Sequence, residues 1–386
     1  MTPFGILLPG RILFGRGEAA KAPALIRALG ARGVLVHGAN AARADWLIRA
    51  LVAAGAEVHT VPCPHEPGLA DLAAALAMAR AARPDWVAAI GGGAVMDMAK
   101  ALAALVPQPT QPLDHLEVVG RGLPLSQAPL PFIALPTTSG TGSEATRNAV
   151  IGVPDQGVPD QGVKVSLRDD RMLARLAIVD PALTDHCPRD VTLASGLDAM
   201  TQVIEPYVSC RANPFTDALC LPAISAGLPA LMRLTLAEDP AARDALSWVS
   251  LSGGVALGHA GLGAVHGLAG VIGGRTGAAH GAICGALLGP VLAMNHRLAA
   301  GQGDTAQRLD RVFGLLAPAL RCDPPDVPQR LARWARAAGL PGLGALGVAA
   351  GDHAAVARAA LSSSSMQANP MLPSEACLMT ALQEAG

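Results

Sequence analysis

Apolar and polar positions follow two regimes along the chain. Up to about residue 180, short apolar runs alternate with stretches whose apolar residues recur every three or four positions. Arg32-Gly33-Val34-Leu35-Val36-His37 reads as a strand, Ala41–Ala54 as a helix with one apolar face, and Ala56–Val61 as a second strand. Leu69–Ala82 follows as a helix, Asp85–Ile90 as a strand and Val95–Leu105 as a helix. Leu130–Leu135 and Ala177–Val179 read as further strands. Short strand and helix units in alternation predict a parallel, doubly wound α/β sheet. After about Thr184 strand-like runs nearly vanish and helical spacing takes over, which predicts an all-α domain. The boundary near Asp180-Pro181 gives an α/β domain over 1–183 and a helical domain over 184–386.

Composition narrows the function classes. Of 386 residues 51% are hydrophobic and 15% charged, which argues against disorder and for a sizeable core in each domain. A formal net charge of −1 and the lack of any Lys/Arg run argue against nucleic-acid binding. No apolar stretch of about 18 residues is free of glycine and charge, so no membrane span is expected. Seven scattered cysteines with no CxxC point to small buried hydrophobes in a reducing cytoplasm, not to a disulfide framework. The tandem Val153–Gly157 and Val158–Gly162, both Val-Pro-Asp-Gln-Gly, reads as a turn-rich surface loop made by duplication, or else as a lid.

Two loops carry candidate chemistry. Gly91-Gly92-Gly93-Ala94-Val95-Met96-Asp97 follows a predicted strand and opens a predicted helix. Its uncovered backbone N–H groups and helix N-terminus suit a pyrophosphate, although any tight strand-to-helix turn shows the same glycines. Pro136-Thr137-Thr138-Ser139-Gly140-Thr141-Gly142-Ser143-Glu144 also follows a strand and offers hydroxyls for phosphate, ribose or amide groups. Loops at adjacent strand ends are where open α/β sheets bind ligands. In the second half, Asp198 and Gln202 share a helix face. His266 and His280 lie within 251–292, a segment with 13 glycines. Gly273, Gly274 and Gly277 are expected to break any single helix there, so that two helix ends bring the imidazoles together with Asp198 as a metal site.

Taken in order, these motifs resemble the iron-containing (group III) alcohol dehydrogenase family over nearly the whole chain. The resemblance rests on the Leu8–Gly15 opening, GGGAVMDMAK (91–100), LPTTSGTGSEAT (135–146), VDPALT (179–184), GLDAMTQVIE (196–205), NPFTDAL (213–219), GLGAVHGLAG (261–270) and AAHGAICGALL (278–288). It implies the fold shared with dehydroquinate synthase. An N-terminal dinucleotide-binding domain and a C-terminal helical metal and substrate domain would flank the active-site cleft. It implies NAD or NADP bound through Gly92, Gly93, Ala94, Asp97, Thr137, Thr138, Ser143, Lys164 and Leu183. It also implies a divalent metal, iron or zinc, on Asp198, Gln202, His266 and His280, with Asp198, His266 and His280 as the catalytic set. The chain departs from the family pattern where Gln202 takes a histidine position, a weaker neutral donor. Gly270 replaces a histidine expected near the reacting carbon, and His259 is a nearby extra imidazole. Ala94 replaces a serine, and His37-Gly38-Ala39-Asn40 lacks the acid that meets the adenosine ribose, so nothing there repels a 2′-phosphate.

The function implied is metal-assisted hydride transfer between NAD(P) and a small alcohol, aldehyde or ketone, by a cytoplasmic homo-oligomer. A metal-independent, maleylacetate reductase-like enzyme is the second reading; it calls for cations facing the cleft, with Lys164, Arg168, Arg171 and Arg275 available. A nucleotide-binding homologue without activity is the third.

Overall fold

Strands that are apolar on both faces need covering on both faces, and this requirement shapes the first half of the chain. The computed structural model describes residues 3–154, 162–301 and 303–386. The strands are β1 (Ile12–Phe14), β2 (Arg32–His37), β3 (Glu57–Pro62), β4 (Trp86–Gly91), β5 (Phe132–Pro136), β6 (Asn148–Pro154), β7 (Gly162–Arg168) and β8 (Leu176–Val179). Six of them form one sheet in the order β1-β8-β5-β4-β2-β3, every pair parallel, and β6 and β7 form a separate antiparallel pair. Most of the tandem repeat, residues 155–161, lies outside the described residues.

Helices α1 (Ala22–Arg27), α2 (Asp45–Ala53), α3 (Leu69–Ala82), α4 (Gly93–Leu105) and α5 (Pro112–His115) accompany the sheet. The two-residue strand period sorts the core. Val34, Val36, Val87 and Ala89 pack with Leu72 and Leu76 of α3 and Met96 and Leu102 of α4. Leu35, Trp86, Ala88 and Ile90 pack on the other face with Ile26 of α1 and Leu47 and Leu51 of α2. Each such aliphatic side chain contributes roughly 1.5–3 kcal/mol, so the layer is held by burial on both faces. The expected helix Ala41–Ala54 is divided. Asn40 caps a 3-10 turn, Ala41–Arg43, by accepting from the Ala42 amide at 3.1 Å, and α2 begins at Asp45.

The chain forms two compact units, one containing Leu7–Thr138 and Gly142–Asp185, the other Ser139–Thr141 and His186–Gly386. The helical unit carries α6 (Arg189–Val208), α7 (Pro214–Leu234), α8 (Pro240–Ala260), α9 (Ala264–Thr276), α10 (His280–Leu298), α11 (Gly303–Leu320), α12 (Val327–Ala337), α13 (His353–Leu361) and α14 (Glu375–Ala385). Among the described residues α7 is the one single helix long and apolar enough to cross a membrane. Its Ala223, Ile224, Leu228 and Leu231 are buried in the helical core. Helix α6 is central: every residue from Gly196 to Val208 is buried, against α7, α8 and α10. Gly261, at φ +75°, ends α8 and lets the chain turn through 100° into α9. Of the three glycines expected to break the next helix, only Gly277 does so, at φ +66°; Gly273 and Gly274 lie inside α9. An interior glycine costs a helix only about 1 kcal/mol relative to alanine, which packing overrides.

Candidate metal centre and nucleotide loops

A helix buried all round must satisfy its polar side chains internally, and α6 carries Asp198, Gln202 and Glu205 in its buried stretch. At i, i+4 and i+7 they share one face. His266 stands in the first turn of α9 and His280 opens α10, so two helix starts deliver the imidazoles to that face. Asp198 Oδ1 lies 3.2 Å from His266 Nε2 and 3.9 Å from His280 Nε2, and the two rings are 5.4 Å apart. Cys284, one turn into α10 and fully buried, puts its Sγ 3.6 Å from His280 Nε2. One donor atom from each of Asp198, His266, His280 and Cys284 falls within 4.8 Å of all the others.

Supporting contacts aim these donors. Glu205 accepts from the His266 Nδ1 and from the Val265 amide, both at 2.7 Å, which makes Nδ1 a donor and turns Nε2 toward Asp198. Only glycine fits at 263, because a Cβ there would come within 2.8 Å of Glu205 Oε1. Gln202 Nε2 donates to Asp198 Oδ2 at 3.1 Å. Among the described residues four buried side-chain atoms lack a hydrogen-bond partner, and three are here: Asp198 Oδ1, Gln202 Oε1 and His266 Nε2. A buried carboxylate oxygen and imidazole nitrogen turned to one another call for a cation between them, a proton or a metal ion.

The electrostatics agree. Burial alone would push His266 and His280 down, but the neighbouring Cys284, with Glu205 beside His266 and Asp198 beside both, reverses this. His266 is held well above the usual histidine value and His280 is raised to about 9. Burial would push Asp198 up, yet the His266 hydrogen bond and the His280 charge hold it low. The cluster is a sink for positive charge, and its donors fit a divalent metal.

The sequence pattern singles out Asp198, Gln202, His266 and His280 but not Cys284 or Glu205. Each of these two sits at a helical repeat from a residue already singled out, and that spacing is the signal that could find them. His259 is not in the cluster: its Nδ1 meets Val255 O at 2.6 Å and its ring packs on Phe215. Beside the Gly270 Cα there is open space, with nothing within 4 Å of a Cβ built there.

In the α/β unit the two glycine-bearing loops lie side by side. Gly91 of β4 pairs with Pro136 of β5, and the Thr137 amide donates to Gly91 O at 2.9 Å. Gly92 is the N-cap of α4 and supplies no side chain to its first-turn amides, so Gly93 and Ala94 present them to the loop. A Cβ at Gly92 would meet Thr138 Oγ1 at 3.2 Å, so the loops nearly touch. Asp97 and Ser143 face inward: Ser143 Oγ donates to Asp97 at 3.0 Å and accepts from Lys100 at 2.7 Å. Lys164 pairs with Glu66, and Leu183 packs against the sheet. Of the other cations, Arg168 pairs with Glu117 and Arg171 with Asp169, while Arg275 stands in the last turn of α9.

Family models for the iron-containing alcohol dehydrogenases match residues 9–181, and for the C-terminal part of the same family residues 192–386. The chain is 34% identical over 315 residues to "Probable alcohol dehydrogenase EutG" of Escherichia coli, covering 80% of this chain and 75% of that protein. The protein of the same name from Salmonella typhimurium is 39% identical over 236 residues, 61% of this chain, and the match spans only 58% of that relative's length. Among solved structures, an alcohol dehydrogenase from Oenococcus oeni superposes with a TM-score of 0.87 at 25% identity, over the whole of both chains.

Proposed function

The chain belongs to the iron-containing alcohol dehydrogenase family, and from that premise we propose that it moves a hydride between NAD(P) and a small alcohol or its carbonyl partner with the aid of a divalent metal. The family is one of oxidoreductases that work with NAD(P) and with iron or another divalent metal. The observation that carries the reading here is the buried, unpartnered pair Asp198 Oδ1 and His266 Nε2, set 3.2 Å apart.

Asp198, His266 and His280 would hold the metal, with Gln202 alongside. When bound, the metal supplies Lewis acidity at the substrate oxygen and the nicotinamide supplies or accepts the hydride. The chain's own part is to aim and to keep dry. Glu205 fixes the His266 ring and its tautomer. Gln202 steadies Asp198, and buried Val265, Leu268 and Ile283 on α9 and α10 keep the surroundings apolar. In the other unit the Gly92–Ala94 amides and the Thr137 and Thr138 hydroxyls would receive the pyrophosphate, with Lys164 and Leu183 contacting the rest of the dinucleotide. His37–Asn40 offers no carboxylate and Asn40 Oδ1 accepts within its own turn, so NADPH should serve at least as well as NADH. With Lys164, Arg168 and Arg171 each beside its own carboxylate, an acidic keto acid is the less favoured substrate. Self-association and a reducing compartment, the latter resting on scattered cysteines with no CxxC, belong to the same proposal.

The test is elemental analysis of the purified protein joined to aldehyde reduction assays with NADH and NADPH, before and after chelation. Activity lost in chelator and restored by zinc, iron or manganese is expected. Full activity in chelator without stoichiometric metal would overturn the metal-assisted reading, and a strong NADH preference would overturn the assignment at His37–Asn40.

A further inference from the structure

Cys284 has a place in the cluster that a core thiol does not need. It is fully buried on α10, one turn beyond His280, and its sulfur is within hydrogen-bonding range of the His280 Nε2 at 3.6 Å. Cys220 and Cys284 both belong to the apolar core of the helical unit. Cys284 also reaches the two imidazoles and the Asp198 carboxylate, all four donor atoms lying within 4.8 Å of one another.

We propose that Cys284 is the fourth protein ligand, taking as thiolate the coordination role that Gln202 leaves open, with the substrate oxygen entering as a fifth donor. This rests on the metal-assisted reading above. Three observations support it. First, a tetrahedron with metal–donor bonds of roughly 2.0–2.3 Å has edges of roughly 3.3–3.6 Å. The measured separations are 3.2 Å for Asp198 to His266, 3.6 Å for His280 to Cys284 and 3.9 Å for Asp198 to His280. Three of the six edges thus lie at or close to that range, and the other three are within 4.8 Å. Second, Gln202 turns its amide nitrogen to Asp198, which makes it a brace for that carboxylate. Third, a thiolate and a carboxylate together balance the charge of a divalent ion, whereas a carboxylate with neutral amide and imidazole donors leaves one positive charge in a buried site. Binding deprotonates the thiol, and the proton leaves to solvent as the metal–sulfur bond forms.

A carboxylate, two imidazoles and a thiolate make a donor set softer than one built from carboxylate and imidazoles alone, and softness favours zinc over manganese or magnesium. The site would accept zinc or cobalt(II) by preference.

Cobalt(II) reports on this directly, because a thiolate ligand gives it a sulfur-to-metal charge-transfer band in the near ultraviolet that oxygen and nitrogen donors do not. Metal-stripped full-length protein is loaded with one equivalent of cobalt(II). The expected result is the band in the unmutated protein and its loss in Cys284→Ser, which stays folded by circular dichroism. Zinc affinity should drop at least tenfold in that variant while manganese affinity changes little. Stoichiometric cobalt without the band overturns the ligand role of Cys284 and leaves the metal-assisted reading intact. A spectrum that persists in Cys284→Ser overturns that role equally, since one of the other six cysteines is then the source. Failure to bind cobalt or zinc at all overturns both. If Cys284→Ser fails to fold, Cys284→Ala reads the same loss, and absence of the band from the unmutated protein overturns the role by itself.

Discussion

Two buried clusters of charge, one in each unit, are made of similar parts and end in opposite states. In the α/β unit the Lys100 ammonium donates to Ser143 O at 3.0 Å, Ser143 Oγ at 2.7 Å and Thr146 Oγ1 at 2.9 Å, with Asp97 at 3.5 Å. Its three protons are used. In the helical unit Asp198 Oδ1 and His266 Nε2 are as deeply buried and have no partner. A saturated network fixes a loop, whereas an unsaturated one is held for something that arrives later. Burial pulls the Lys100 ammonium below its ordinary value, while His266 and His280 are lifted above theirs. The first cluster contains its own counter-charge, and the second solicits one.

That contrast can be broken from either side. The largest effect is expected from Asp198→Asn. Outer-shell partners of a metal are worth about 10–100-fold in affinity, and a charged ligand more, so zinc binding should fall by at least ~1,000-fold. Metal-free stability should fall far less, by no more than the stabilisation the two imidazoles give the carboxylate they hold low; calorimetry of both forms reads the two quantities, and equal loss of both would erase the distinction. Lys100→Met is the converse. It strands Asp97, Ser143 and Thr146 and should cost ~3–5 kcal/mol in denaturant unfolding while metal affinity is unchanged. A metal defect in Lys100→Met would show that the clusters are not independent.

Glu144, beside Ser143 and almost wholly buried, gives a pH signature. Burial raises its carboxyl to about 7, opposed by its own backbone hydrogen bond and the Lys100 charge. In the unfolded chain it titrates near 4.3, so between these values the folded state holds the proton more tightly. Stability contributed by the neutral form is present below about 4.3 and is lost as pH rises through about 7, a change of up to ~3 kcal/mol. Glu144→Gln should flatten that slope, and an unchanged pH–stability curve would count against the buried carboxyl. The smallest effect is Gln202→His. It exchanges an amide with an orphaned oxygen for an imidazole one turn from Asp198 and should tighten zinc by about tenfold, or ~1.4 kcal/mol. Weaker binding would mean that the Gln202 hydrogen bond to Asp198 matters more than an added donor.

The sheet is legible in the sequence because its strands are short, apolar and evenly punctuated. The expected Leu69–Ala82 helix coincides with α3, and the expected strand at Arg32–His37 with β2. β1 escapes notice because three residues are too few to show a period. The β6–β7 pair is obscured because β6 alternates partly and fully buried residues and its distal end runs into the repeat. In the site, residue type leads to Asp198, His266 and His280, since a carboxylate and paired histidines declare themselves. Cys284 and Glu205 do not, because a cysteine amid alanines and glycines resembles core and a glutamate on a helix resembles surface. Their meaning comes from α6 being buried on every side and from α9 and α10 starting against it, facts of tertiary packing that a linear pattern does not carry.

The two-armed grip of Glu205 has a bearing on the pace of metal exchange. One carboxylate oxygen holds the Val265 amide at the start of α9 and the other holds the His266 ring, so the ring is fastened from behind to the backbone that carries it. With a metal ion on His266, the ring would not swing away as the ion departs. Vacating and refilling the centre would then require no reordering of the helix, and the speed of reloading would be set by how quickly an ion sheds its water and enters, not by how quickly the protein finds its shape again.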